Sequence, residues 1–336
     1  MNPLEVPANV AARARDIREG RVPPAEPRDA ATVILLRPAA PPGPSCPRPA
    51  PPGSEVYMLR RKRSMAFAPG AYVFPGGCVD ESDADEGPPG SGAASWAGPD
   101  PARLGRALGV PPARARALVR AAVRETFEES GVLLAGPSRT TVVSCIQGED
   151  WEADRRALAE RSLSLAGLLA RRGLVLRADL LRPWARWVTP EAEELRYDTR
   201  FFVAPLPAGQ RVAGPCGEAD EVAWVRPAAA IAAAGAGEIR LLLPTVVTLR
   251  ELAAFPDVPA ILAARRRITP RQPRVVLGGG APGASGAAGA GGRGGPEGRE
   301  GPEVRAWLAM PEGLGDPENP GSPENLESQE WWERQE

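Results

Sequence analysis

Residues 124–132 read RETFEESGV: an arginine, glutamates at 125, 128 and 129, and a closing Gly131. On a helix turning about 100° per residue, Glu128 and Glu129 fall roughly 60° and 40° to either side of Glu125. Arg124 stands four residues before Glu128, the spacing at which a helix brings two side chains together. Three carboxylates on one narrow face repel, and each raises its neighbours' pKa unless positive charge intervenes. A hard divalent cation, Mg²⁺ or Mn²⁺, cancels that repulsion through carboxylate and water oxygens. Taken alone, E-x-x-E-E is more often a solvated acidic face than a metal site. What precedes it alters the balance. AYVFPGGCVD (71–80) begins as a strand and breaks at Pro75-Gly76-Gly77, where glycine permits close backbone approach to a ligand or metal.

The elements that must position this face follow from pattern. A helix is expected from about Pro112 to Ser130, with Val119, Val123, Thr126 and Phe127 on its buried side and Gly131 ending it. AATVILLR (30–37) and SEVYMLRR (54–61) read as paired strands around a Pro-rich loop (38–53). Residues 81–100, acidic and then Gly/Pro-rich, are expected as a loop. A helix is expected over Trp151–Arg172, and strands over 184–190, 195–206, 221–225 and 273–277. An Ala-rich helix and a second helix (243–255) lie between the last two strands. Residues 1–28 read as a polar arm with a short helix over Val10–Arg18, and 278–302 as a Gly-rich flexible segment. EVRAWLAM (303–310) suits an extra strand before an acidic tail, which would make the Gly-rich tract an expanded hairpin turn.

Composition narrows the chemistry. The chain has 336 residues, 43% of them apolar, enough for one large domain with decorations. It contains no histidine, which removes Ser-His and Cys-His nucleophilic sites and every imidazole metal ligand. Its four cysteines (Cys46, Cys78, Cys145, Cys216) form no CxxC pair, so reduced thiols in a cytoplasmic protein are expected. A net charge of −1 predicts no bulk attraction to nucleic acid. The N-terminus lacks the apolar block of a signal peptide, and no apolar run is long enough to span a bilayer. Oligomeric state is not legible.

With these residues in place, the chain resembles the Nudix hydrolase superfamily, whose signature is Gly-x5-Glu-x7-Arg-Glu-U-x-Glu-Glu-x-Gly-U, with U apolar. RETFEESGV matches the second half except for Thr126 at the first U, and FPGG (74–77) resembles the lead-in, with Gly77 as the opening glycine. After the five-residue spacer Asp83 replaces the family's Glu. Gly77 and Arg124 are 47 residues apart where the family uses 14, so 33 extra residues split the box, with the insertion at about 81–111. That is similar to the split-box branch typified by peroxisomal coenzyme A diphosphatase. WVTP and RYDTRFF in the later strands also fit this branch.

The resemblance implies a Nudix α/β/α sandwich over residues 29–277, a mixed sheet between helices with long loop insertions. It implies metal-dependent hydrolysis of coenzyme A or an acyl-CoA. Alternatives are ADP-ribose, nucleotide sugars or other nucleotides as substrate, and a non-catalytic ligand-sensing module. By position, Glu125, Glu128 and Glu129 are the metal ligands, the Gly77 (or Gly76) carbonyl joins them, and Arg124 orients them. Glu218 and Glu221 are candidates for a further acid, each equally suited to an exposed loop, while Asp83 is expected on a solvent-exposed loop. Arg61, Gly70 and Phe74 match the branch's coenzyme A pattern as substrate-binding residues. Lys62 and Ala66 depart from it. The implied partner is a small-molecule diphosphate, with no nucleic acid and no membrane.

Overall fold

The computed structural model describes residues 4–39, 53–65, 68–85, 95–215, 217–278 and 306–309. Most of the Pro-rich stretch, Cys46, Ala66, Cys216, the Gly-rich segment beyond 278 and the acidic end lie outside the described residues. The chain forms two compact units.

In the smaller unit, Ala306–Ala309 pairs antiparallel with both Leu4–Glu5 and Arg274–Leu277. The helix Ala8–Arg18 packs against Arg274–Leu277. The Arg28 amide donates to the Arg196 carbonyl at 2.9 Å.

The larger unit holds a mixed sheet. Its strands run in the order Arg240–Leu241, Ala71–Val73, Ser54–Arg61, Arg28–Pro38, Tyr197–Pro205 and Arg182–Val188. Ala219–Val225 also pairs antiparallel with Ser54–Arg61, and Gly76–Cys78 with Arg28–Pro38. The mixed sheet with its helices is the expected class. Residues 30–37 and 54–61 do pair, from Leu36↔Val56 to Pro38↔Ser54. Alternation places Val33, Leu35 and Tyr57 on one face. There they share a core with Leu118, Val119, Ala122 and Phe127 of the helix Pro112–Ser130. Gly131 ends this acidic helix in the left-handed conformation, φ 69°, its amide bonded to the Phe127 carbonyl.

Three local expectations are corrected. The strand from Ala71 does not end for good at Pro75, because Gly76–Cys78 resumes as a strand against Ala30–Thr32. Close backbone approach, not looping out, is what these glycines supply: a Cβ on Gly76 would lie 2.5 Å from the Ala31 carbonyl oxygen. Residues 81–100 are not simply a loop, since Glu81–Ala84 forms a 3-10 turn and Trp96–Ala97 a short strand. The helix expected over 151–172 is two helices, Glu149–Ala159 and Leu165–Arg172. Arg161 at φ 59° breaks it, and the Ser164 hydroxyl caps the second helix by accepting the Gly167 amide at 3.0 Å.

Candidate active site

The acidic helix lies with its glutamates against the Gly-Gly strand, and the two halves of the motif meet despite the insertion. Glu129 Oε2 accepts the Gly76 amide at 2.7 Å. Glu125 faces Gly77 so closely that a Cβ there would come within 2.4 Å of Glu125 Oε1. Arg124 Nη1 donates to Glu125 Oε1 at 2.9 Å and to Glu128 Oε1 at 3.3 Å. The main-chain carbonyl of Glu128 is held by Arg155 Nη1 at 3.0 Å. Thr126, the departure from the signature, is fully buried, and its hydroxyl donates to the Ala122 carbonyl at 2.7 Å. An apolar position thus tolerates its oxygen because a helical back-bond satisfies it.

Asp83 overturns the sequence expectation. It is buried at 1% exposure, not on a solvent-exposed loop. Arg124 grips it with two parallel bonds, Nε to Oδ1 at 3.0 Å and Nη2 to Oδ2 at 2.9 Å. The physical reason is local: the turn Glu81–Ala84 closes before the inserted chain departs. Its capping box, with the Asp80 amide donating to Asp83 Oδ2 at 2.8 Å, aims the carboxylate at the helix. Arg124 Nη2 also reaches the Cys78 carbonyl at 2.9 Å. The shortened acid therefore does not lose its arginine.

The register decides which glycine carbonyl faces the helix. The Val33 amide bonds to Pro75 O and the Val79 amide to Asp29 O. In an antiparallel ladder such bonded pairs recur every second residue, so Ala31 and Gly77, which are register partners, form the pair between them. The Gly77 carbonyl is thereby turned into the sheet. Gly76 and Cys78 point the other way, toward Glu129 and Arg124. The choice of Gly77 over Gly76 as carbonyl donor is corrected on this ground.

The remaining candidates separate by face. Arg61 pairs with Glu218 at 3.0 Å, and both charges are felt by Glu129. Glu221 lies opposite Arg60 and pairs with it at 2.7 Å, on the face away from Arg61 by strand alternation. It is not part of this cluster. Gly70, at φ 69°, donates its amide to the Arg61 carbonyl at 3.0 Å and so fixes the turn beside it. Phe74 is only 4% exposed, so its side chain packs inside the protein.

Electrostatics fit a cation. Burial pushes Glu125 up to about 7, with Arg124 opposing and Glu128 adding to the rise. Burial likewise raises Glu128 against the pull of Arg124. Glu129 is raised well above the usual range by burial and then by Glu125. For Arg124 burial opposes the charge, but Asp83, Glu125 and Glu128 outweigh it and hold the pKa above its ordinary value. Among the described residues no three acidic side chains already meet as a cation cage, and Arg124 occupies Glu125 and Glu128 instead. The donor set is nonetheless all hard oxygen, which suits Mg²⁺ or Mn²⁺ and not a soft metal.

Two predictions arise here. Gly77→Ala places a methyl against the Glu125 carboxylate and is expected to lower turnover about 10- to 100-fold, the range for disturbed ligand orientation. Gly76→Ala instead meets the backbone of the neighbouring strand and should cost about 1–3 kcal/mol in denaturant unfolding, as overpacking does. Equal activity in Gly77→Ala and wild type would mean that Glu125 is not held against this strand. The second concerns pH. Glu125 stands near 4.5 when unfolded and about 7 when folded, so the fold is favoured while it is protonated. That contribution is complete below about pH 4.5 and is lost as pH rises through 7, a swing of the order of 3 kcal/mol. Melts of metal-free protein should show this fall in wild type, and a smaller one in Glu125→Gln. Identical pH profiles would contradict the shift.

With the geometry set out, comparison with known proteins adds the following. Residues 102–252 match the family profile described as the NUDT19 Nudix domain. Acyl-coenzyme A diphosphatase NUDT19 of Gallus gallus is 29% identical over 221 residues, covering 53% of this chain and 55% of the relative. The Homo sapiens protein of that name is 29% identical over 270 residues, covering 68% and 69%. A putative nudix hydrolase 7 of Caenorhabditis elegans is 28% identical over 202 residues, covering 60% and 57%. The chain thus spans little more than half the length of two of these three curated relatives. The crystal structure of a NUDIX hydrolase from Alicyclobacillus acidocaldarius superposes with a TM-score of 0.56 at 28% identity, over 71% of this chain and 97% of that one.

Proposed function

We propose that this chain, which carries a Nudix domain, is a metal-dependent diphosphate hydrolase whose leading substrate is coenzyme A or an acyl-CoA. The observation that carries the reading is the closure of the split motif, with Glu125 and Glu129 packed on the Gly76-Gly77 strand and Glu128 held beside them by Arg124. Glu125, Glu128, Glu129 and the Gly76 carbonyl would hold Mg²⁺ or Mn²⁺. When bound, such an ion neutralises the diphosphate and lowers the pKa of an attacking water.

The chain's own residues do the rest. Arg124, anchored by Asp83, fixes the rotamers of Glu125 and Glu128. Glu129 is positioned by the Gly76 amide. A carboxylate with a raised pKa is a stronger base than a free one; burial raises both Glu125, up to about 7, and Glu129. Arg61, whose charge is felt by Glu129, and the Gly70 turn bonded to its carbonyl are assigned to the substrate's phosphates. Hydrolysis of coenzyme A at its diphosphate yields phosphopantetheine and adenosine 3′,5′-bisphosphate.

No helix among the described residues is long and apolar enough to cross a membrane. A cytoplasmic location is part of the proposal, which rests on four cysteines that form no CxxC pair in the sequence. A second reading keeps the chemistry and changes the leaving group to that of ADP-ribose or a nucleotide sugar, favoured by Lys62 and Ala66 where the coenzyme A pattern has other residues. The deciding assay supplies purified protein and Mg²⁺ or Mn²⁺ with coenzyme A, an acyl-CoA, ADP-ribose and a nucleotide sugar. Phosphopantetheine release is the expected result. Turnover of ADP-ribose alone would select the second reading, and no turnover of any compound would leave a sensing module.

A further inference from the structure

Arg120 lies one helical turn before Arg124 and two before Glu128, so the three form a single ridge. It is 5% exposed, an arginine inside the protein that the signature does not require. Its Nη1 donates to the Asp83 carbonyl at 3.3 Å and also to the Asp85 carbonyl. Both acceptors are main-chain atoms, so Arg120 grips the path of the backbone, whereas Arg124 grips the Asp83 carboxylate. Asp85 is the last described residue before the stretch that resumes at Ser95.

We propose that Arg120 is a positioning residue that clamps the near end of the insertion to the acidic helix and so keeps Asp83 in register with Arg124. This rests on the diphosphatase reading above only for its kinetic consequence. In a short motif the chain itself keeps the acid near its arginine. Here the two are 41 residues apart, and ring closure by the chain alone becomes less favourable as the loop grows. Apart from Arg124 itself, two further ties on this turn are exposed. Arg161, which meets Asp80 at 3.0 Å, is 73% exposed, and Ser164 reaches Asp85 at an exposed 3.2 Å. Arg120 is the buried tie to its carbonyls. The chain of effect runs from Arg120 through the turn to Asp83, from Asp83 to Arg124, and from Arg124 to Glu125 and Glu128.

The test compares the full-length wild type with Arg120→Ala and Arg120→Lys by hydrogen exchange and by steady-state kinetics with Mn²⁺. In Arg120→Ala, exchange of the amides of Val79, Asp80, Asp83 and Asp85 should accelerate about tenfold while Val33–Leu36 stays protected. kcat should fall about 10- to 100-fold with KM within about twofold, as when an orienting residue is lost. Arg120→Lys keeps a donor and should return to within about threefold of wild type. Unchanged exchange at 79–85 would overturn the proposal. So would a uniform loss of protection with both variants equally impaired, because that marks a packing residue, and so would failure of both variants to fold. If wild type has no diphosphatase activity, the functional reading falls while the exchange result still decides the clamp.

Discussion

Replacing Glu129 by Gln should lower kcat/KM toward coenzyme A about 10²- to 10⁴-fold, the span expected when a positioned acid or base is removed. Folding should not suffer. Gln keeps an oxygen for the Gly76 amide, which Glu129 Oε2 accepts at 2.7 Å, and it removes a charge whose burial holds the pKa well above the usual range. Activity and stability are therefore expected to move apart, with thermal stability equal to or above that of wild type. That divergence separates a functional carboxylate from a structural one. Glu221→Gln is the matched control, since Glu221 pairs with Arg60 on the opposite face of the sheet. Its effect on kcat/KM should stay within about twofold. A Glu129→Gln variant with near wild-type turnover would remove the helix face from the mechanism.

Asp83→Ala carries the second large effect, on stability. It leaves Arg124, whose side chain is 6% exposed, without its bidentate partner. Removing one member of a buried pair typically costs about 3–5 kcal/mol, because the remaining charge stays desolvated. Glu125 and Glu128 still contact Arg124 and place the expectation at the lower end, about 3 kcal/mol by urea unfolding. Asp220→Ala breaks a pair whose side chains are 38% and 35% exposed, and should cost far less than Asp83→Ala. Comparable losses in the two variants would show that Asp83 is no more than a surface partner. Asp83→Ala should also reduce turnover, because Arg124 would no longer hold Glu125 and Glu128 in fixed rotamers.

Much of this was legible in the chain because the signals are local. The acidic helix begins and ends where Pro112 and Gly131 predict, and its three glutamates share a face because helical spacing requires it. The strand pairing of residues 30–37 with 54–61 survives a Pro-rich connection because alternation in each strand, not the loop, sets the register. Asp83 was not legible. Its burial depends on a partner 41 residues away, and distance along the chain says nothing about whether an insertion leaves before or after the residue. Gly76–Cys78 carries too little side chain to be read as a strand, and the ladder is visible only with Ala30–Thr32 beside it. The same register moves the carbonyl donor from Gly77 to Gly76, which no count along the sequence reveals. Arg120 escapes sequence reading for a similar reason: its acceptors are main-chain carbonyls, which leave no residue-type signature.

The central claim is that a motif divided by 33 residues closes into one metal site. Anomalous diffraction from crystals of the full chain soaked in Mn²⁺ tests it most directly. The account predicts a peak bounded by the carboxylates of Glu125, Glu128 and Glu129 and the Gly76 carbonyl, lost in Glu129→Gln. A peak away from the acidic helix, or none in protein that hydrolyses coenzyme A under the same conditions, would contradict it.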